Sequence, residues 1–87
     1  MTEQEVVALI NSSLAEEFEL DLEDMDADAD IFDDFGLDSL DIVDMVIVLE
    51  SAFKFKIREE QAIRKIRKLG EIYTFVLGKL NEAEQAS

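Results

Sequence analysis

Five apolar residues near the amino terminus, Val6, Val7, Ile10, Leu14 and Phe18, recur every three or four positions. That spacing gathers side chains on one face of an α-helix. Thr2, with Glu5 three positions later, has the form of a capping box, in which a hydroxyl and a carboxylate each accept a bond from the other's otherwise orphan backbone N–H. Together they predict an amphipathic helix over residues 3–18, with Glu3, Asn11 and Glu17 on its polar face. A second helix is predicted from Ser39 to about Phe53, with Val43, Val46, Leu49 and Phe53 as its inward stripe. "KFKI" then breaks the pattern, and a short helical turn is expected around residues 58–63. A last helix runs from about Lys68 to Glu82 on the stripe Leu69, Ile72, Tyr73, Val76 and Leu80. Period-two alternation is brief wherever it occurs, so strands are not expected. The prediction is an all-α bundle of three main helices plus one short helix, forming a single domain over residues 1–87.

Helical spacing lapses between Glu19 and Asp38, where acids predominate. This stretch is expected to be a long, partly ordered acidic loop, with Leu20, Leu22, Met25, Ile31, Phe32, Phe35 and Leu37 available to pin it onto a core. Gly36, two residues before Asp38, suits a turn needing backbone angles that other residues avoid.

Charge is divided along the chain. The first 53 residues carry 17 acidic side chains and no Lys or Arg, all eight bases lie between Lys54 and Lys79, and the net charge is -14. Such a field repels polyphosphate and anionic lipid, which argues against nucleic acid as a partner and favours basic protein surfaces. With no cysteine there is no thiolate or disulfide, and with no histidine the usual general base and commonest metal ligand are missing. No apolar run approaches the ~20 residues of a membrane-crossing helix. The amino terminus lacks the basic and apolar regions of a secretory signal, so a cytoplasmic protein is expected.

Within "DDFGLDSLDIVDM", residues 33–45, the hydroxyl of Ser39 stands among acids where the second helix begins. Either Asp38 or Ser39 can cap that helix by accepting a bond from a backbone N–H, worth about 1 kcal/mol. A serine nucleophile needs a nearby base, and "GLDSL" lacks the second glycine of a G-x-S-x-G elbow. A third role is acceptor of a group installed by another enzyme, since a phosphodiester at a helix N-terminus faces the positive end of the macrodipole.

At this point "FGLDSLDIVDMVIVLESAF" resembles the acyl carrier protein signature around the phosphopantetheine attachment serine. The marks are the D-S-L core, the preceding Gly, the following Asp and the Leu-Glu-x-x-Phe helix end. The similarity extends over the layout of essentially the whole chain. It implies an acyl-carrier-like bundle and a carrier rather than an enzyme. A phosphopantetheinyl transferase would move 4′-phosphopantetheine from coenzyme A to Ser39, flanked by Asp38 and Leu40. The terminal thiol would then hold acyl groups as thioesters in fatty-acid, lipid or polyketide biosynthesis. The resemblance also implies a monomer whose second helix presents Leu40, Asp41, Asp44, Ile47, Glu50 and Ser51 to acyl-transfer, ketosynthase and related enzymes with basic docking patches. Helical spacing agrees in part, placing Asp41, Asp44 and Ser51 near Ser39 on a surface opposite the inward stripe. In such carriers the core opens to shelter the acyl chain. Val43, Val46, Leu49, Phe53, Ile57, Ile66, Leu69 and Ile72 are therefore acyl-pocket candidates as well as core residues.

Other readings attach to the acids. "DADAD" at 26–30 has the alternating carboxylates that open a calcium-binding EF-hand loop, but its sixth position is Ile31 rather than Gly and its twelfth Leu37 rather than Glu. No specific metal site is expected, although divalent cations would relieve carboxylate repulsion. A non-catalytic acidic adaptor or a divalent-cation-binding helical protein are the alternatives to a carrier.

The chain also departs from the family. Carriers of this type are usually acidic where it reads "AFKFKIREEQAIRKIRK", often with Pro where Arg58 stands, and the span from Ile57 to Leu69 is one residue longer than is typical. Lys54, Lys56, Arg58, Arg64, Lys65, Arg67 and Lys68 make that side basic. They either balance the acidic helix internally or select a dedicated partner with an acidic surface.

Overall fold

Among the described residues three α-helices carry the fold: α1 (Glu3–Phe18), α2 (Ser39–Phe53) and α3 (Leu69–Ala86), with a 3-10 turn at Leu22–Asp24 between the first two. The computed structural model describes residues 2–54, 63 and 65–86, with side chains described as far as 81. The short helical turn expected around residues 58–63 therefore falls, apart from Ile63, outside the described residues, as does Ile57. Among the described residues there is no strand, only an isolated antiparallel bridge between Asp30 and Lys68.

Local chemistry sets the helix ends. The Thr2 hydroxyl accepts from the Glu5 N–H at 3.2 Å and the Glu5 carboxylate accepts from the Thr2 N–H at 3.0 Å. The Thr2 backbone N–H, and then its hydroxyl, hold the Glu5 carboxyl below its ordinary range. At the other end Glu19 adopts a left-handed conformation (φ 56°) and donates its N–H to the Ala15 carbonyl. The third helix runs four residues past the predicted Glu82, reaching Ala86.

α1 packs against both other helices. Val6, Ile10 and Leu14 meet Ile42, Met45, Val46 and Leu49 of α2 and Leu69, Ile72 and Val76 of α3 in one apolar core. No polar or charged side chain is buried among the described residues. A cross-link does join α1 to α3 at the core's edge, where the half-buried Tyr73 hydroxyl donates to Asn11 Oδ1 at 2.5 Å. Asn11 thus leaves the polar face predicted for it, and partial burial raises the Tyr73 phenol above its ordinary value.

The inward stripe of α2 needs one correction. Ile42 and Met45 are buried, whereas Val43 is 43% exposed and points outward. Leu40, Ile42, Val43 and the run from Met45 to Leu49 give α2 so many apolar positions that helical spacing alone admits more than one inward face. Residues 42, 45, 46 and 49 form the i, i+3, i+4, i+7 set that contact with α1 selects.

The connection between α1 and α2 is more ordered than its sequence suggests. Met25, Ala29 and Ile31 are buried, and Leu20, Phe32, Phe35 and Leu37 pack against the core, but Leu22 is 57% exposed and pins nothing. What else holds the loop is backbone pairing with the chain just before and at the start of α3. Ile31 N–H donates to Arg67 O (2.8 Å), Leu69 N–H to Ala29 O (3.0 Å) and Gly70 N–H to Ala27 O (2.9 Å). These partners are some 36 to 43 residues apart, beyond the reach of any periodicity.

Two glycines of α3 make opposite predictions. A β-carbon on Gly70 would lie 3.0 Å from Ala27 O and 3.1 Å from Ala27 Cβ, whereas one on Gly78 would meet nothing within 4 Å. Gly78→Ala is expected to stabilise the fold by about 0.5–1 kcal/mol through helix propensity. Gly70→Ala is expected to forfeit that gain and destabilise, because the Ala27 backbone must shift. Urea unfolding of the two variants checks both, and the pairing argument fails if Gly70→Ala is as stabilising as Gly78→Ala.

Candidate functional site

The start of α2 is built by two aspartates. Asp38 Oδ1 accepts from the N–H groups of Leu40 (2.9 Å) and Asp41 (3.1 Å), and Asp41 Oδ2 accepts from the Asp38 N–H (3.0 Å). This reciprocal box settles which side chain caps the helix: Asp38 does, and Ser39 becomes its first residue. Ser39 is exposed, and its hydroxyl makes no hydrogen bond among the described residues. The result is an accessible hydroxyl at the positive end of a fifteen-residue helix.

The preceding turn delivers it there. Gly36 N–H donates to Phe32 O at 3.0 Å and Leu37 N–H to Ile31 O at 3.3 Å, a reversal that requires Gly36 at φ 71°. Ile31 is itself bonded to Arg67, so the turn bearing Ser39 is referenced to the start of α3.

From Ser39 an apolar stripe runs down the outside of α2: Leu40 is 77% exposed, Val43 43% and Ile47 59%. Asp44 and Ser51 lie exposed beside it and Glu50 is half-buried. Asp41, expected on the same surface, is half-buried with its carboxylate committed to the capping box. Val43 is the surface residue that sequence spacing missed; its place three residues after Leu40 and four before Ile47 was the available signal. The acyl-pocket candidates Val46, Leu49, Ile66, Leu69 and Ile72 are buried and Phe53 is half-buried. Val43 is not part of that buried set.

One base of the departing segment is used internally. The Arg67 guanidinium reaches Asp30 (Nε to Oδ2, 3.5 Å) and Asp33 (Nη2 to Oδ2, 3.8 Å) and lies 5.5 Å from the centre of the Phe32 ring. The Asp33 N–H, then that of Phe32 and the Arg67 charge, hold the Asp30 carboxyl below its ordinary range against some desolvation. Arg67→Glu is expected to lower stability by about 1 kcal/mol, since these exposed pairs are individually weak and reversal turns both to repulsion. Lys65→Glu, at an exposed position, is expected to change stability by less than about 0.5 kcal/mol. Thermal unfolding of both variants compares them.

The alternating aspartates of the loop serve its own backbone. Asp26 Oδ1 accepts from the Asp28 N–H, Asp30 Oδ1 from those of Phe32 and Asp33, and Asp34 Oδ2 from that of Asp30. Among the described residues no group of three carboxylates is arranged to hold a metal ion. No described helix is long and apolar enough to cross a membrane.

Ser39 thus heads α2 exposed, and among the described residues no side chain hydrogen-bonds its hydroxyl. Residues 8–76 match the phosphopantetheine attachment site family. The chain is 30% identical over 80 residues to an acyl carrier protein of Exiguobacterium sp., covering 92% of this chain and all of that one. It is 32% identical to an acyl carrier protein of Thermotoga maritima (88% of this chain, 94% of the relative) and 33% identical to one of Helicobacter pylori (77% and 85%). The chain belongs to the acyl carrier protein family. It is a carrier and not a catalyst, and it bears covalent 4′-phosphopantetheine, whose thiol supplies the thioester chemistry that a chain without cysteine lacks. Membership also associates it with acyl chains and the enzymes of fatty-acid biosynthesis.

Proposed function

We propose that residues 1–87 form one monomeric cytoplasmic carrier domain, that 4′-phosphopantetheine is attached at Ser39, and that Leu40, Asp41, Asp44, Ile47, Glu50 and Ser51, with Val43, form the face met by the transferase, ketosynthases and related enzymes. The observation that carries the attachment is the division of labour at the start of α2: Asp38 takes the capping bonds and leaves the Ser39 hydroxyl accessible and unengaged among the described residues. In the loading step the Ser39 oxygen forms a bond to the pantetheine-side phosphorus of coenzyme A. The pyrophosphate bond breaks, 3′,5′-ADP leaves with the electron pair, and the hydroxyl proton passes to a base of the transferase. The helix N-terminus then faces the new phosphodiester anion. An apolar stripe beside acids suits a docking face, charge speeding encounter and apolar contact fixing orientation. Burial of Val46, Leu49, Ile66, Leu69 and Ile72 in the core supports, as the acyl shelter, a lining made of these residues with Phe53 and Ile57 and without Val43.

The test is intact mass before and after incubation with coenzyme A and a broad-specificity phosphopantetheinyl transferase, followed by fragmentation. The expected result is a gain of one phosphopantetheine, carried by the fragment containing Ser39. A gain located on Ser12, Ser13 or Ser51 would displace the attachment site. No gain by an initially unmodified, folded protein would leave an acidic adaptor.

A further inference from the structure

A second surface feature lies beside the α2 face. An open groove of about 420 Å³ separates α1 from α2, bounded by Ser13, Glu16 and Glu17 on one side and by Asp44, Val48 and Ala52 on the other. The α2 residues follow one another at i, i+4 and i+8, so the groove extends about 12 Å, two helical turns. Small side chains on both walls leave it unfilled, and half-buried Val48 and Ala52 give it an apolar floor.

Its charge is one-sided. Glu16, Glu17 and Asp44 are exposed, and among the described residues no base lines the groove and none of the three carboxylates is in an ion pair. Glu16 and Glu17 also stand in the last turn of α1, which has no basic residue. Carboxylates are disfavoured at that end because the helix dipole is negative there. Two acids placed against the local rule, beside unfilled apolar floor, suit a cationic counterpart that none of the described residues supplies.

We propose that this groove is a docking surface for a basic amphipathic segment of a partner protein, with an apolar side chain seated on Val48 and Ala52 and flanking Lys or Arg side chains meeting Glu16, Glu17 and Asp44. It adjoins the α2 face through Asp44, Ile47 and Ser51, and to that extent it rests on the docking reading above. Partners that use only the Leu40 and Val43 end of α2 are indifferent to the α1 wall. Partners that also enter the groove are selected by it. The three carboxylates disfavour a phosphate-bearing occupant, and an open groove suits an extended segment rather than an enclosed small molecule.

The test uses the full-length, isotopically labelled chain and two synthetic helical peptides of equal charge, one with a Leu between Lys residues spaced four apart and the other with Ser in place of that Leu. The Leu peptide is expected to shift the amides of Ser13, Glu17, Val48 and Ala52 saturably and to bind more tightly than the Ser peptide. Affinity is expected to fall about ten-fold in the double variant Glu16→Lys, Glu17→Lys. A similar fall is expected in Ala52→Leu, which fills the floor and leaves every charge in place. Both variants are expected to accept phosphopantetheine as the wild type does. Shifts confined to Leu40 and Val43, equal binding of the two peptides, or concentration-dependent shifts without peptide, which would indicate a second copy, each overturn the proposal. Failure of the wild type to accept phosphopantetheine would instead overturn the attachment reading, and the peptide titration would still decide the groove.

Discussion

Ser39→Ala is expected to abolish phosphopantetheine loading completely while leaving the helix content of the chain unchanged and its stability within about 0.5 kcal/mol. The two effects separate because function and capping are assigned to adjacent residues. Asp38 Oδ1 holds the Leu40 and Asp41 N–H groups, and Asp41 returns a bond to the Asp38 N–H. Ser39 contributes a hydroxyl that none of the described residues engages, and alanine is a strong helix former. Asp38→Ala is the complement: it retains the acceptor hydroxyl but costs about 1 kcal/mol by orphaning two backbone donors. Intact mass and thermal unfolding measured on both variants decide the assignment. A Ser39→Ala protein that still gains mass would place the attachment elsewhere. One that unfolds would make Ser39 a structural residue.

The largest stability loss is expected at Leu49. Truncation to alanine removes a fully buried side chain from the contact of α2 with the rest of the core, and such cavities cost about 2–5 kcal/mol. For a domain of this size that is a decrease of roughly 10–20 °C in Tm or more, taken from a small margin. The -14 net charge already works against compactness. Ile47→Ala, two residues earlier on the same helix, is expected to change stability by less than about 0.5 kcal/mol because its side chain already faces solvent. Its effect belongs instead to partner docking, read as a raised KM for a carrier-dependent enzyme. Comparable losses of stability at both positions would mean that α2 is rotated relative to the face assigned here.

Much of this was legible in the residue order, and what was not has a common cause. The ranges predicted for the first two helices coincide with α1 and α2, because Thr2 with Glu5, and Asp38 with Asp41, act on backbone groups within three residues. Gly36 was legible for the same reason, its φ of 71° being a local demand. Val43 was misplaced because an apolar-rich helix has several faces that could go inward, and only the neighbouring helix chooses among them. Leu22 was misjudged because availability to pin a loop differs from geometry that lets it do so.

By itself the sequence determined the all-helical architecture, the two charge territories, the absence of thiol and imidazole side chains, and the placing of Ser39 at a helix start. All of these depend on composition or on interactions within about one helical turn. Only the tertiary structure decided that Asp38 rather than Ser39 serves as the cap, that Arg67 is tied to Asp30 and Asp33, that the acidic loop is stitched to the start of α3, and that an acid-rimmed groove opens between α1 and α2. The first was a choice between two adequate capping groups that residue preferences could not make. The others depend on residues 27 or more positions apart, whose proximity follows from the apolar faces that pack and leaves no periodic trace in the chain.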